Sequence, residues 1–267
     1  MKKNIAILIA MICLSCNNSK QITITKLKGS PSYEKSKLNI QNISFDEKGY
    51  DFLFGVEDYR LGIQTKKDFK HELANSAKGQ HIHLIVNNNP YSAHYSERFI
   101  KDLEEENNVI LAFLSRSHHE SVKNKNAYVL TQISEEEIDL NKEFLFYSRP
   151  KGVYKGKDTE KLLLDFYLVN TKISAKGNKV RATIQDSEFI IKEWAPYYIE
   201  GLQKGEISIK LELLNEKGDL VGFTPFSTYE FVVDGKRLYR VMTQFITIKY
   251  EYQGNEEEYN PSWAKSS

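Results

Sequence analysis

"GQHIHLIVNNNPYSAHYSERFIKDL" (residues 79–103) lines up with "GNKVRATIQDSEFIIKEWAPYYIEGL" (177–202), and the fold of this 267-residue chain is read from that match. Gly79 meets Gly177, Ile82 meets Val180, Val86 meets Ile184, Tyr91 meets Phe189 and Phe99 meets Tyr197. One extra residue in the second stretch brings Leu103 onto Leu202. Downstream, "VILAFLSRS" (109–117) lies over "ISIKLELLN" (207–215). Upstream, "KGSPS" (28–32) loosely matches "YSRPKG" (147–152). Self-similarity of this kind marks a repeated structural unit.

The repeated pattern is that of β-structure. Short alternating runs recur at 21–25, 81–86, 109–114, 206–213 and 245–250, in a chain with 16 Tyr and 14 Phe. Helical periodicity is scarce; 66–77 and 134–139 could each hold one short helix. Short strands with turn signals, in two copies, predict a mainly β protein of two tandem antiparallel immunoglobulin-like β-sandwich domains. The expected boundaries are 21–135 and 141–236. Asp234-Gly235 is a turn signal, so 237–267 should add one or two strands and then a polar tail, with Trp263 docking back.

The first residues predict the destination. Lys2 and Lys3 precede an apolar run, 5–12, too short for a permanent bilayer span. Cys13-Leu14-Ser15-Cys16 follows and resembles a bacterial lipobox. That resemblance implies a signal peptide over 1–16, lipidation of Cys16, a tether over 17–20, and a bacterial cell-envelope protein anchored to the inner or outer membrane. Both cysteines of the chain lie in this leader. Cysteine nucleophiles, iron–sulfur clusters and Cys-based zinc sites are therefore excluded from the mature part. A net charge of +1 gives no general pull toward nucleic acid. Nucleophile elbows, dinucleotide fingerprints and P-loops are absent, and no catalytic residue is assigned.

Five of the six His fall between residues 81 and 119. His81 and His83 are two apart on a predicted strand, so they share a face, with Ile82, Leu84 and Val86 on the other, core-facing side. A turn at Asn87-Asn88 keeps Pro90 out of a donor position, and it sets Leu84 opposite Tyr91, Ile82 opposite Ala93 and His81 opposite His94. His81, His83 and His94 would then share a solvent-facing side and could hold Zn or Cu, with water or His119 at the fourth position. The second copy carries Lys179, Arg181 and Lys192 there, so a plain polar face is the simpler reading and no cofactor is required.

Ser115-Arg116-Ser117-His118 resembles the Ser-Arg-x-His signature of forkhead-associated domains. That resemblance implies phosphothreonine binding by Ser115 and Arg116, as in a phosphopeptide-binding protein. The accompanying Gly-Arg is missing, since Glu97 precedes Arg98, and no Gly follows Asn141. The repeat instead puts this stretch at a strand end. There Arg116 would direct its fork to a carboxylate such as Glu120. Alternation puts Val109, Leu111 and Phe113 on the core side. Ile110, Ala112 and Leu114 then form an apolar outer face, which should be covered by the other unit, the tail or a partner.

The phrases "GQHIHLIVNNNPY", "AHY" and "FLSRSHHESVKN" are similar to those of uncharacterised bacterial envelope lipoproteins with repeated immunoglobulin-like sandwich domains. That resemblance implies the fold and location and no activity. The expectation is a non-enzymatic, lipid-anchored module that binds or scaffolds an envelope protein or glycan. Metal binding by the His cluster is the alternative, and a hydrolase a more distant one.

Overall fold

The computed structural model describes residues 21–66, 72–103, 106–135 and 137–221, and beyond them the backbone of three strands between 230 and 249. The expected signal peptide, Cys16, the tether and the docking of Trp263 lie outside the described residues.

The strands of the first half are β1 (Thr23–Lys26), β2 (Lys37–Asp46), β3 (Gly49–Glu57), β4 (His81–Val86), β5 (Ser92–His94), β6 (Arg98–Lys101), β7 (Asn108–Ser115) and β8 (Tyr128–Ile133). Those of the second are β9 (Phe144–Arg149), β10 (Gly152–Lys155), β11 (Leu162–Val169), β12 (Lys179–Ile184), β13 (Ser187–Ile191), β14 (Tyr197–Glu200) and β15 (Gly205–Leu214). β16 (Glu230–Val233), β17 (Lys236–Tyr239) and β18 (Thr243–Lys249) follow. The only helical element among the described residues is a 3-10 turn at Gly156–Thr159. The described parts of 66–77 and 134–139 are not helical. In the first, side-chain and backbone bonds between Gln64, Asn75, Ser76 and Ser117 hold a loop instead.

The two halves repeat one topology. The first unit packs β2-β3-β6 against β5-β4-β7-β8, and the second packs β9-β11-β14 against β13-β12-β15-β18. These are two antiparallel immunoglobulin-like sandwiches. β18, from the segment expected to add strands, completes the second sheet beside β15, with β10 parallel on its far side. Val233 pairs with Lys236 across the positions of the expected Asp234-Gly235 turn. One strand departs from the sequence division. β1, in the first half of the chain, pairs with β14 and extends a sheet of the second unit.

Each sandwich has its own core. Phe52, Phe54, Ile82, Leu84, Ile110 and Leu114 fill the first, and Leu164, Phe166, Val180, Ile184, Ile199 and Ile209 the second. A third cluster lies between them: Ile85, Val109, Leu111 and Phe113 of the first unit meet Phe144, Phe146, Tyr167 and Val169 of the second. Full burial of a large apolar side chain contributes about 1.5–3 kcal/mol, so this seam is a core in its own right. The faces of β7 are therefore the reverse of those expected from its alternation. Ile110, Ala112 and Leu114 line the sandwich core, whereas Val109, Leu111 and Phe113 lie under the other unit.

The repeat also carries two register differences. Phe113 pairs with His83, but Arg181, the counterpart of His83, pairs with Glu212 rather than Leu211. Ser92 pairs with Leu84 where Phe189 pairs with Ala182, so Phe189 corresponds to Ser92 rather than Tyr91. Tyr91 is buried and Phe189 only half-buried.

Candidate metal centre

The seam places His81 and His83. Their face of β4 continues into Ile85 and turns toward β9 and β11 rather than toward solvent, so both imidazoles are fully buried. His119 arrives from the turn after β7. That turn is closed by Arg116 N–H to Glu120 O at 2.9 Å and His119 N–H to Arg116 O at 2.9 Å. His119 has φ 68°, in the left-handed region that His tolerates better than most residues. Its ring is half-buried and lies against His81, centroids 4.8 Å apart.

The donor atoms of the three rings lie within 4.8 Å of one another. His81 Nδ1 is 2.8 Å from Gly79 O; a carbonyl only accepts, so Nδ1 carries the proton and Nε2 presents a lone pair. Gly79 is held by its backbone: φ is 87°, and a Cβ there would meet the Ile63 backbone at 2.5 Å. The His81 lone pair faces His83 Nε2 at 2.8 Å and His119 Nδ1 at 3.1 Å. Two N–H donors would compete for that one lone pair. If His119 Nδ1 instead accepts from Tyr91 O–H, 3.3 Å away, two lone pairs face each other. A cation among the three nitrogens removes the conflict. Tetrahedral Zn with bonds of about 2.0–2.1 Å spaces its ligands about 3.3 Å apart; the two short separations would open slightly and the widest, within 4.8 Å, would close.

Protonation does not compete for these nitrogens near neutral pH. Burial, helped by the Arg149 charge, lowers His81 to about 4 against the opposing Gly79 bond. Burial and the neighbouring His81 hold His83 far below the usual range, and burial with Arg149 does the same to His119. Neutral imidazole is the form that binds metal.

His94 is not part of this set. Asn87 and Asn88 form the expected turn, at φ 50° and 59°, closed by Asn89 N–H to Val86 O at 2.8 Å. Pro90 then donates nothing, the chain takes one extra residue, and pairing resumes with Ser92 opposite Leu84. His94 consequently lies opposite Ile82, on the other face of the sheet. Its ring stacks on Phe99 at 3.4 Å, and its Nε2 meets Ser92 Oγ at 2.7 Å. His119, expected at most as a fourth ligand, stands third in the cluster with His81 and His83.

The chain matches no family model and no curated protein. Among solved structures it is similar to fibronectin(III)-like modules of Clostridium thermocellum CbhA. That likeness has 10% identity and a TM-score of 0.29, covering 84% of this chain and 100% of that one. It bears on neither ligand nor activity.

The Ser-Arg-x-His stretch is a buried knot beside the centre. Arg116 is 3% exposed. Its fork donates to Ser121 O at 2.8 Å and to Pro31 O, and it pairs with Glu120 at 3.1 Å, as the sequence suggested. His118 Nε2 donates to the other Glu120 oxygen at 2.9 Å, and Ser30 Oγ also reaches Glu120. Burial works against ionising Glu120, but Arg116 and His118 outweigh it and hold the carboxyl at about 2. Ser115 is fully buried, and its O accepts from Tyr59 O–H at 2.8 Å.

Three residues of the site, Ser148, Arg149 and Lys151, were not singled out in the sequence, and Tyr91 was expected only as a core-facing residue opposite Leu84. Tyr91 stacks on His83 at 3.6 Å, and Ser148 Oγ lies 3.4 Å from His83 Nδ1. Arg149 and Lys151 stand 5.3 and 4.4 Å from the centre of the Tyr91 ring. The available signal was "SR" ending the otherwise apolar "FLFYSR": polar groups in a strand buried on both faces need partners.

Proposed function

We propose that this chain is a lipid-anchored envelope protein that binds one borderline transition-metal ion, Zn or Cu, through His81, His83 and His119. The observation carrying this reading is the single His81 lone pair, oriented by Gly79, on which two further imidazole nitrogens converge. Three neutral imidazoles suit these ions. The site works by binding rather than turnover. The nearby carboxylate Glu120 is held by Arg116 and His118 and does not serve as a base. The ion would brace the seam, because His83 also contacts Ser148 of the second unit, in a module that docks an envelope protein or glycan.

Purified mature protein, stripped with chelator and reloaded, should retain one Zn or Cu per chain by elemental analysis. His119→Ala should weaken uptake by more than about 100-fold, since even groups supporting a ligand account for 10–100-fold. His94→Ala should leave it unchanged. Equal uptake by wild type and His119→Ala would sink the assignment. The anchor rests on Cys16; Cys16→Ser should leave the chain unprocessed or released from membranes. A variant still cleaved and still fractionating with lipid would overturn it.

A further inference from the structure

Around the three histidines the uncommitted charge is positive, since Glu120 is taken by Arg116 and His118. Arg149 is 9% exposed, yet among the described residues it pairs with no carboxylate. Its NH1 donates to the Tyr154 hydroxyl oxygen at 3.0 Å, and its Nε, fully buried, has no hydrogen-bond partner among the described residues. Asp165 stands opposite Arg149 in the β9–β11 ladder but is committed elsewhere. It accepts from Ser121 N–H and Oγ, both at 3.1 Å, and pairs with Lys123. Lys151 donates to Tyr91 O and likewise has no acidic partner among the described residues. Both cations flank Tyr91, whose ring stacks on His83 and whose hydroxyl reaches His119. A buried guanidinium with an open donor, beside a half-buried ammonium, is costly unless a negative charge completes it. A divalent ion on the histidines would add to the same excess.

We infer that the histidine site takes a carboxylate or phosphate oxyanion as its remaining ligand, one oxygen on the metal and the others on Arg149 and Lys151. The inference rests on the metal reading above. The guanidinium fork suits such an ion, and charge-assisted bonds of this kind are the strong ones. Metal and anion then bind with positive coupling, each offsetting the charge that opposes the other. His119 and Lys151, both half-buried, are the members of the set that solvent reaches.

Cobalt(II) gives the site a visible spectrum that reports its ligands. The cobalt-loaded mature protein is titrated with inorganic phosphate and, separately, with acetate. A saturable spectral change is expected. Arg149→Gln should raise the half-saturating anion concentration at least about tenfold, the equivalent of one charge-assisted hydrogen bond. It should bind cobalt at least as tightly as wild type in the absence of anion, because a repulsive charge is gone. Lys151→Gln, at a half-exposed position, gives the second comparison should Arg149→Gln fold poorly, and it should weaken the anion response in the same direction. A response to phosphate alone or to acetate alone identifies the source of the oxyanion. Cobalt uptake with no response to either anion, or with equal responses in wild type and both variants, would overturn the anion site and leave the metal reading standing. Failure of wild type to take up cobalt would remove the metal reading and this inference together.

Discussion

Single side chains decide how this protein responds to acid. His81 and His94 are held at about 4 by burial, below the usual histidine value of about 6.5. Where native groups bind protons less readily than the unfolded chain, stability falls as pH falls. The neutral-histidine contribution is therefore complete above 6.5 and lost as pH drops toward 4. Glu120 is also depressed, from 4.5 to about 2, so its contribution is present above 4.5 and lost toward 2. Chemical denaturation of metal-free protein should show two successive losses, the first between pH 6.5 and 4 and the second below 4.5. A midpoint flat from pH 7 to 4 would contradict the first. Arg116→Ala should cost about 3–5 kcal/mol, because buried Glu120 loses its guanidinium partner and keeps only His118 and Ser30. A cost below about 1 kcal/mol, typical of surface pairs, would show the knot to be solvated.

Among elements, periodicity was readable and register only partly so. The Gly79 and Gly177 match sets β4 over β12, but the strands paired with them on either side are each offset by one residue from the match. "NVILAFLS" and "LLLDFYLV" are near-continuous apolar runs, the second broken only by Asp165, rather than alternating ones, the pattern of strands covered on both faces. That pattern signalled a seam without naming which face belonged to which core, because both faces are equally apolar. The hairpin from β4 to β5 shows the limit at finer grain. Its turn was placed by the asparagines, but the extra residue after Pro90 reverses the face of everything that follows. Thus His81 and His83 were legible as a pair and His94 was misplaced. His119 depends on a loop conformation with no period to read. The Arg149 and Lys151 contacts depend on tertiary packing between units, which no local pattern encodes.

At the scale of the whole molecule the two sandwiches share a sealed face. In the first unit His83 and Phe113 sit under β9 and β11; at the matching positions of the second, Arg181 donates to Glu212 at 2.7 Å. The repeat thus gives the same face two chemistries, one for a covered side and one for an open side. β1 adds a tie, since it belongs to the second unit's sheet while the chain that follows it builds the first. A fragment from residue 137 onward lacks this strand and leaves the β14 edge unpaired. Restoring residues 21–27 through a flexible linker should raise its denaturation midpoint and reduce its aggregation. An unchanged midpoint would show that the four paired positions of β1 carry no stability.

The same strand determines how the molecule would carry tension. A pull between residue 21 and residue 249 enters through β1 and leaves through β18, and both strands lie in sheets of the second sandwich. The load path therefore bypasses the first sandwich for as long as the short ladder from Thr23↔Glu200 to Lys26↔Tyr197 holds. That ladder acts as a mechanical fuse. Once it parts, the force runs through the first unit and the seam, and the three imidazoles, gripped between the two bodies, become the next point of strain.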